Sequence, residues 1–527
     1  MRVAFVHLGR ESLGIEYLSA VLKAAGHQVQ LFLDPGLFGE NDNVFYIPAL
    51  ERVFDQRERI VEEAAAWQPD IVGFSVYTNT YQWCLDVARR IRARCRAKIV
   101  FGGIHVTLVP DVVMQEECVD YAVVGEGEEA MVELADALAH GAPTDRIANV
   151  WTRRPLRAGG GERWEIVRND VRPPIADLDA LPLPDKALFE KDINFVDDYL
   201  VLASRGCIFN CAYCCESATN RLYHHRFYRR RSVDSVMEEL VVMKARYRFR
   251  EVMFNDAIFF TDKKWLRELL GRYRREIGVP FRCFGQVRFL DEEVGRLLRD
   301  AGCYCIEFGV QTMNEHLRCE VLNRRETNAH NARAFRICDR LGLRYDIDHI
   351  FGLPGETEAD HVFAARFYSR LRRLNRLKCH NLTCFPRTPI VEAARRMGQV
   401  SEDDVRDMEH GRTGDFFHVD EIRDKEARRL KASFVVLYKV LPLLSPAVVE
   451  RILRRRWYRW LHLVPAPLVI ALQVVNAFRA RDYRFSLYVR YYLLRLRRAL
   501  RLRSRSAPAR VPPCQEASAV TARGYPP

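Results

Sequence analysis

The chain has 527 residues, 48% apolar and 29% charged, a globular composition at a length that calls for two or three domains rather than one core. Its fifteen cysteines form no compact disulfide framework, and the opening Met1-Arg-Val-Ala-Phe-Val enters a strand at once instead of a signal peptide. Both features point to a reducing cytoplasm. The net charge of +13 lies almost wholly between Arg451 and Arg505, where fifteen arginines meet one acid, Asp482; a charge so confined gives no support to a nucleic-acid-binding core, and no nucleic acid partner is expected.

Residues 1–140 alternate strand and helix patterns. Apolar runs at Val3–Val6, Val29–Phe32, Ile71–Ser75, Ile99–Phe101 and Tyr121–Val124 are separated by amphipathic stretches such as Leu13–Ala25 and Tyr81–Cys95. This predicts a doubly wound parallel sheet of flavodoxin or Rossmann type, with its ligand beyond the carboxyl ends of the strands. The loops there are Ser75-Val-Tyr-Thr-Asn, Gly102-Gly-Ile-His-Val-Thr and Gly125-Glu-Gly-Glu. Gly102, Gly103 and Gly125 would admit a bulky ligand close to the backbone, and Ser75, Thr78 and Thr107 offer it hydroxyls.

Together with Leu13-Gly-Ile-Glu-Tyr-Leu, these loops resemble the cobalamin-binding domain found in front of many radical S-adenosylmethionine (SAM) barrels. The resemblance implies that the loop after the third strand and the Gly-Gly loop surround the nucleotide tail of cobalamin. An Asp-x-His-x-x-Gly motif is absent, and neither His7 nor His105 has that context, so cobalamin is expected base-off without a protein imidazole on cobalt. The alternative is a flavodoxin-like sheet holding another nucleotide or nothing.

Periodicity fades over 141–197, where Gly159–Gly161 and Leu181-Pro-Leu-Pro-Asp suggest an interdomain linker. Then comes Arg205-Gly-Cys-Ile-Phe-Asn-Cys-Ala-Tyr-Cys-Cys. Three thiolates at the spacing Cys207-x3-Cys211-x2-Cys214 can hold three irons of a [4Fe-4S] cluster and leave the fourth open. A zinc knuckle completed by Cys215 or His224 is the rival, although no second unit of zinc spacing follows. The loop resembles the signature of the radical SAM superfamily. That likeness implies that Cys207, Cys211 and Cys214 are the cluster ligands, that SAM chelates the open iron, that an external donor supplies the electron that cleaves SAM to a 5′-deoxyadenosyl radical, and that Tyr213 packs near adenine.

Six strand candidates follow, at Tyr199–Ser204, Glu251–Asn255, Phe281–Gln286, Cys303–Gly309, Tyr345–Phe351 and Lys378–Cys384. They predict a central partial (β/α)6 barrel over 198–391 with its chemistry at the carboxyl ends of the strands. The same resemblance implies SAM contacts from Asn255 and Asp256 after strand two, Arg288 after strand three and Gln311 after strand four, and it extends to Phe351-Gly-Leu-Pro-Gly-Glu-Thr and Phe385-Pro-Arg-Thr-Pro. Asp346, Asp348 and His349 are the catalytic candidates. Alternation puts both aspartates on one strand face and His349 on the other. The pair either faces the barrel and serves substrate or proton transfer, or is a charged strand end.

Beyond Glu392 the resemblance stops and a helical region, 392–505, is expected, followed by an Ala-, Pro- and Ser-rich disordered tail at 506–527. Apolar stretches at Phe434–Val448, Trp457–Leu463 and Leu468–Phe478 are broken by prolines and none is long enough to span a bilayer. Aromatic and arginine residues interleave there, which suggests an interfacial hairpin over 434–505 meeting anionic lipid at the inner membrane face; a basic helical domain packed on the barrel is the alternative. The sequence thus reads as a cobalamin-dependent radical SAM enzyme, a methyltransferase acting on an unactivated carbon of a small-molecule or lipid-like substrate. Rival readings are a cyclase, oxidase or rearrangement enzyme using the same cofactors, and a non-catalytic sensor.

Overall fold

A computed structural model of the chain describes residues 1–39, 47–155, 164–224, 228–412, 424–480, 482, 489–490 and 492–497. The expected tail at 506–527, Gly159–Gly161, Tyr488 and Tyr491 lie outside the described residues.

The first sheet contains β1 (Arg2–Leu8), β2 (Gln28–Asp34), β3 (Ile71–Ser75), β4 (Lys98–Gly102) and β5 (Tyr121–Val123), parallel and in the order β2-β1-β3-β4-β5. Its strands read as continuous apolar runs because both faces are covered. Val3, Phe5, Ile71 and Val100 enter one core, while Ala4, Val6, Val72 and Phe101 enter another behind them. Ser12 starts the first crossover helix, Leu13–Ala24, by accepting the Ile15 N–H at 3.4 Å.

The 141–197 stretch corrects the sequence reading. Val150–Pro155 (β6) and Trp164–Val167 (β7) extend the sheet as an antiparallel hairpin on β5. Its polar residues, Thr152, Arg153 and Arg154, hid the strand pattern. Further along, Lys186 is fully buried: its Nζ pairs with Glu16 at 2.9 Å and with Glu11, donates to Leu200 O at 2.9 Å, and lies 4.8 Å from the Tyr199 ring centroid. The connection is therefore wedged between the two sheets rather than slung as a tether.

The second sheet runs in sequence order through β8 (Tyr199–Val201), then, past the two-residue ribbon β9 (Ser204–Arg205) and β10 (Arg229–Arg230), through β11 (Val252–Phe254), β12 (Phe281–Gly285), β13 (Cys303–Gln311), β14 (Arg344–Phe351) and β15 (Leu374–Asn381). All neighbours are parallel, giving the open six-stranded barrel. The sixth strand starts earlier than expected because its alternating residues Arg376, Lys378 and His380 are charged or polar and conceal an apolar run.

The C-terminal helices also depart from expectation. Phe434, Leu437 and Tyr438 of the helix Lys425–Val440, with Val449 and Leu453 of Pro446–Arg454, are buried in the same core as the barrel. One face of this half of 434–505 is thus a wall of the protein. Tyr492 packs on Leu37 and Phe38 of the N-terminal domain, and Arg495 donates to Pro35 O at 2.8 Å and Gly9 O at 3.0 Å.

Lys186→Ala leaves Glu16 and Glu11 facing each other in a dry wedge, and the expected loss of stability is about 3–5 kcal/mol. Urea unfolding of the variant checks this; an unchanged midpoint would show that the wedge contributes nothing.

Candidate functional site

The cluster loop leaves β9 through Gly206, whose φ of +78° suits glycine, and ends where Cys214 caps the helix Cys215–Leu222. Asn220 of that helix reaches back to Cys207 O at 3.2 Å, Phe209 O at 3.4 Å and Asn210 Oδ1 at 2.7 Å. Ala212 N–H donates to Leu322 O at 2.9 Å, and Asn323 Nδ2 to Asn210 O at 2.7 Å. The three cysteines are therefore held in one fixed loop before any metal arrives.

Their environment is half-buried and, at Cys211, locally cationic. Arg324 Nη1 stands 3.7 Å from Cys211 Sγ and 3.0 Å from Tyr213 Oη, and Nη2 donates to Gly309 O at 2.6 Å. Burial pushes the Cys207 thiol up to about 11 and raises Cys211 and Cys214 as well, with Arg324 opposing the shift at Cys211. Loading metal must displace those protons. Among the described residues, the His, Cys, Asp and Glu set whose ligand atoms gather within 4.8 Å is His349, Glu356 and His361, not the cysteines. Thiolates bound to different irons need not converge on one ion, so this spacing favours the cluster over a zinc knuckle.

Two cavities adjoin this loop. The smaller, 240 Å³, lies at the carboxyl ends of β1, β3, β4 and β5 and is lined by Gly73, Ser75, Gly102, Gly103, Gly125 and Gly127 among others. The larger, 430 Å³, lies between the domains, with Gly103, Thr107 and Gly125 on one wall and Gly206, Tyr223 and Asn255 on the other. Glycine is required at two of these points. A Cβ on Gly103 (φ +96°) would sit 2.8 Å from Val76 N, and one on Gly125 (φ +82°) 2.3 Å from Tyr223 Oη. Thr107 Oγ1 accepts the Gly125 N–H and donates to Gly103 O, both at 3.0 Å, tying the two loops together.

The domains are clamped across the larger cavity. Arg205, two residues before Cys207, pairs with Glu126 at 3.1 Å and Glu128 at 2.7 Å, while Arg229 pairs with Glu126 at 2.7 Å. Tyr223 Oη accepts the Glu126 N–H at 2.9 Å. Burial alone would raise the Glu126 carboxyl, but Arg229 and Arg205 outweigh it and hold it below the usual range. Its contribution is therefore present at neutral pH and lost as pH falls through that lowered value.

Sequence reasoning missed Arg205, Arg229, Tyr223 and Arg324. A charged residue against Gly206-Cys207 was the available signal for Arg205; Arg324, 113 residues from Cys211, offered none.

The remaining candidates separate. Thr78 is buried, its Oγ1 3.1 Å from His105 Nδ1, and lines neither cavity. Asp256 is also buried, accepting from Ser204 Oγ at 2.5 Å and Ala203 N at 3.3 Å, and desolvation lifts it to about 6; it fastens β11 to β8. Arg288 is exposed. Gln311 is 7% exposed, has φ of +66° and keeps Oε1 without a hydrogen-bond partner, a buried acceptor aimed at something the protein itself does not supply.

Tyr345 and Ile347 of β14 enter the outer core, where Phe335 stacks on Tyr345 at 4.9 Å, so Asp346 and Asp348 face the barrel interior. Asp346 accepts from Asn375 at 2.8 Å, and Asp348 lies 3.4 Å from His380, next to the Glu307–Lys378 pair at 2.5 Å. His349 points the other way, 3.1 Å from Tyr368 Oη and packed on Tyr438, away from the cofactor side.

Residues 6–135 match the B12 binding domain model, and residues 201–368 match the radical SAM superfamily model. The chain belongs to the B12-binding radical SAM family. It is 27% identical over 365 residues to an uncharacterized methyltransferase of Pyrococcus horikoshii, covering 68% of this chain and 73% of the relative. Among solved structures, it superposes with TM-score 0.58 and 20% identity on the radical SAM methyltransferase TsrM from Kitasatospora setae with tryptophan substrate and a SAM analogue bound, covering 76% of this chain and 77% of that one. It superposes with TM-score 0.62 and 16% identity on the cobalamin-dependent SAM radical enzyme OxsB, covering 95% and 80%.

This B12-binding radical SAM protein is an enzyme whose cofactors are cobalamin, a [4Fe-4S] cluster and SAM. The residues fit them: glycine walls make room beyond the first sheet, three thiols share one rigid loop, and Gln311 presents an unpaired acceptor. Among the described residues, no histidine lines either cavity. His7 Nε2 lies 3.0 Å from Arg10 O, and the His105 ring packs 4.4 Å from the Tyr81 ring at a tilt of 42°.

Cys207→Ala, Cys211→Ala and Cys214→Ala are each expected to abolish SAM cleavage and the site-differentiated cubane, whereas Cys215→Ala keeps both. Iron analysis and 5′-deoxyadenosine assays decide it; a single variant of the first three that retains full iron and cleavage refutes the ligand set. Glu126→Gln leaves Arg205 and Arg229 under-compensated and should lower stability by about 3 kcal/mol. Calorimetry at neutral pH provides the check, and the difference from wild type should shrink in acid.

Proposed function

We propose that this enzyme is a methyltransferase acting on an unactivated carbon of a small, lipid-like or hydrophobic substrate. The observation that carries the reading is the 430 Å³ cavity whose walls come from the cobalamin-side loops and from the helix that follows the cluster cysteines. When bound, the cluster and SAM supply the hydrogen-abstracting radical, and cobalamin supplies the methyl group.

The protein's part is positioning and exclusion. Arg205, Arg229 and Tyr223 hold the cobalamin-side loop against the cluster-side ribbon and keep the gap narrow. Arg324 places a fixed positive charge beside Cys211 and orients the Tyr213 phenol. Gln311 offers its carbonyl to a ribose hydroxyl, and Asn255, at the end of β11, lines the cavity from the SAM side. Within the barrel, Asp348 is the residue we assign to substrate contact, because it faces inward and is less buried than Asp346. A small-molecule substrate agrees with the tryptophan complex of the TsrM neighbour. An external electron donor, a cytoplasmic location and peripheral contact with the inner membrane face complete the proposal. Among the described residues, no single helix is long and apolar enough to cross a membrane.

Anaerobic reconstitution with SAM, cobalamin, reductant and candidate substrates should yield 5′-deoxyadenosine together with S-adenosylhomocysteine. Formation of 5′-deoxyadenosine alone, with a rearranged or oxidised product, would replace methyl transfer by the cyclase or oxidase reading. Electron paramagnetic resonance of the cob(II)alamin form should show base-off cobalt; superhyperfine splitting from an axial nitrogen would contradict the assignment.

A further inference from the structure

Seven large apolar side chains stand exposed within the stretch Trp457–Arg479: Trp457, Trp460, Leu463, Leu468, Ile470, Val475 and Phe478. The first three lie on the 3₁₀ segment Trp457–Leu463, where side chains three apart share an edge. Trp460 is 68% and Leu463 65% exposed, while Tyr458 turns inward and donates to Glu358.

The helix Ala466–Arg479 follows after a break, turned by 106° from the first segment. It is built inside out. Its buried residues are Val469 and Asn476, and Asn476 Nδ2 donates to Asn375 O at 2.7 Å, whereas Phe478 is 72% exposed. A surface helix of a protein surrounded only by water does the reverse. No residue from 466 to 478 carries a charge.

The flanks are uniformly basic. Arg451, Arg454, Arg455, Arg456, Arg459 and Arg479 are exposed, and no acid occurs from 451 to 481. Arg454 and Arg459 pair with Glu450 and Glu358; among the described residues, Arg451, Arg455 and Arg456 form no ion pair. An apolar ridge set in a net cationic surround complements an anionic lipid surface. A second copy of the chain fits it poorly, since a two-fold contact would bring the arginines against themselves.

We propose that the bent pair Trp457–Leu463 and Ala466–Arg479 is a monotopic docking element that lies in the surface of an anionic phospholipid bilayer, its apolar ridge in the acyl boundary and its arginines at the phosphates. The element is narrower than 434–505: Phe434, Leu437, Tyr438, Val449 and Leu453 belong to the protein core, and Arg495 is a buried strut. The inference stands apart from the methyltransferase reading, and its test uses no turnover.

The full chain is floated with vesicles of phosphatidylglycerol in phosphatidylcholine and, in parallel, with phosphatidylcholine alone. Wild type should bind the anionic vesicles and be partly released by added salt. The triple variant Trp460→Ser, Leu463→Ser, Leu468→Ser should bind at least tenfold less with little change in thermal midpoint, because more than half of each side chain's surface faces outward. Arg451→Ser, Arg455→Ser, Arg456→Ser should remove the preference for anionic lipid. Failure of wild type to float, equal binding to both vesicles, or undiminished binding by the apolar variant overturns the proposal. So does an oligomeric wild type that the apolar variant converts to monomer without any vesicle binding, which would assign the ridge to self-association.

Discussion

One carboxylate, Glu126, determines how the two halves of this enzyme meet. It sits at the end of β5 in the cobalamin-binding half, and its partners, Arg205 and Arg229, form the ribbon at the mouth of the barrel. Ion pairs that are mostly withdrawn from water are directional as well as strong, because only a narrow geometry compensates the lost hydration. The clamp therefore fixes a distance and an angle, not merely an association. Both cavities take their shape from it, since Glu126 and Arg205 line each of them.

Lys186 performs a comparable task nearby, behind Tyr17, on whose ring Arg205 stacks. It draws Glu11 and Glu16 of the first domain and the Leu200 carbonyl of β8 onto one ammonium. With Arg495 reaching Gly9 and Pro35, the two domains are joined at several separated points. Such fastening suits chemistry in which a reactive species must meet its target before water or oxygen does.

What could be read in the sequence was whatever is encoded close together along the chain. Cys207, Cys211 and Cys214 lie within one loop, the glycine walls announce themselves as Gly-Gly and Gly-Glu-Gly, and five apolar runs specify a parallel sheet. What could not be read depends on contacts distant in sequence. Thr78 looked like a ligand hydroxyl, but His105, 27 residues away, occupies it. Asp256 looked like a SAM contact, but Ser204, 52 residues away, holds it. The hairpin of β6 and β7 escaped notice because Thr152, Arg153 and Arg154 interrupt its apolar run, and the start of β15 because charged residues alternate through it: the barrel interior is ionic on that side, so the usual apolar signature is inverted. The same inversion on Ala466–Arg479 could be recognised only once Asn476 was seen to point inward.

The helix Cys215–Leu222 belongs to both cofactor sites. Its first turn follows Cys214, and the residue after its end, Tyr223, receives the Glu126 N–H. Eight residues of α-helix measure about 12 Å and do not bend under small loads, so a shift at one end reappears at the other. In the vocabulary of assembly, the protein has a lever where two independent docking bays would have sufficed. The loop that carries Cys214 and the loop that carries Glu126 are thereby tied to the two ends of one rigid rod.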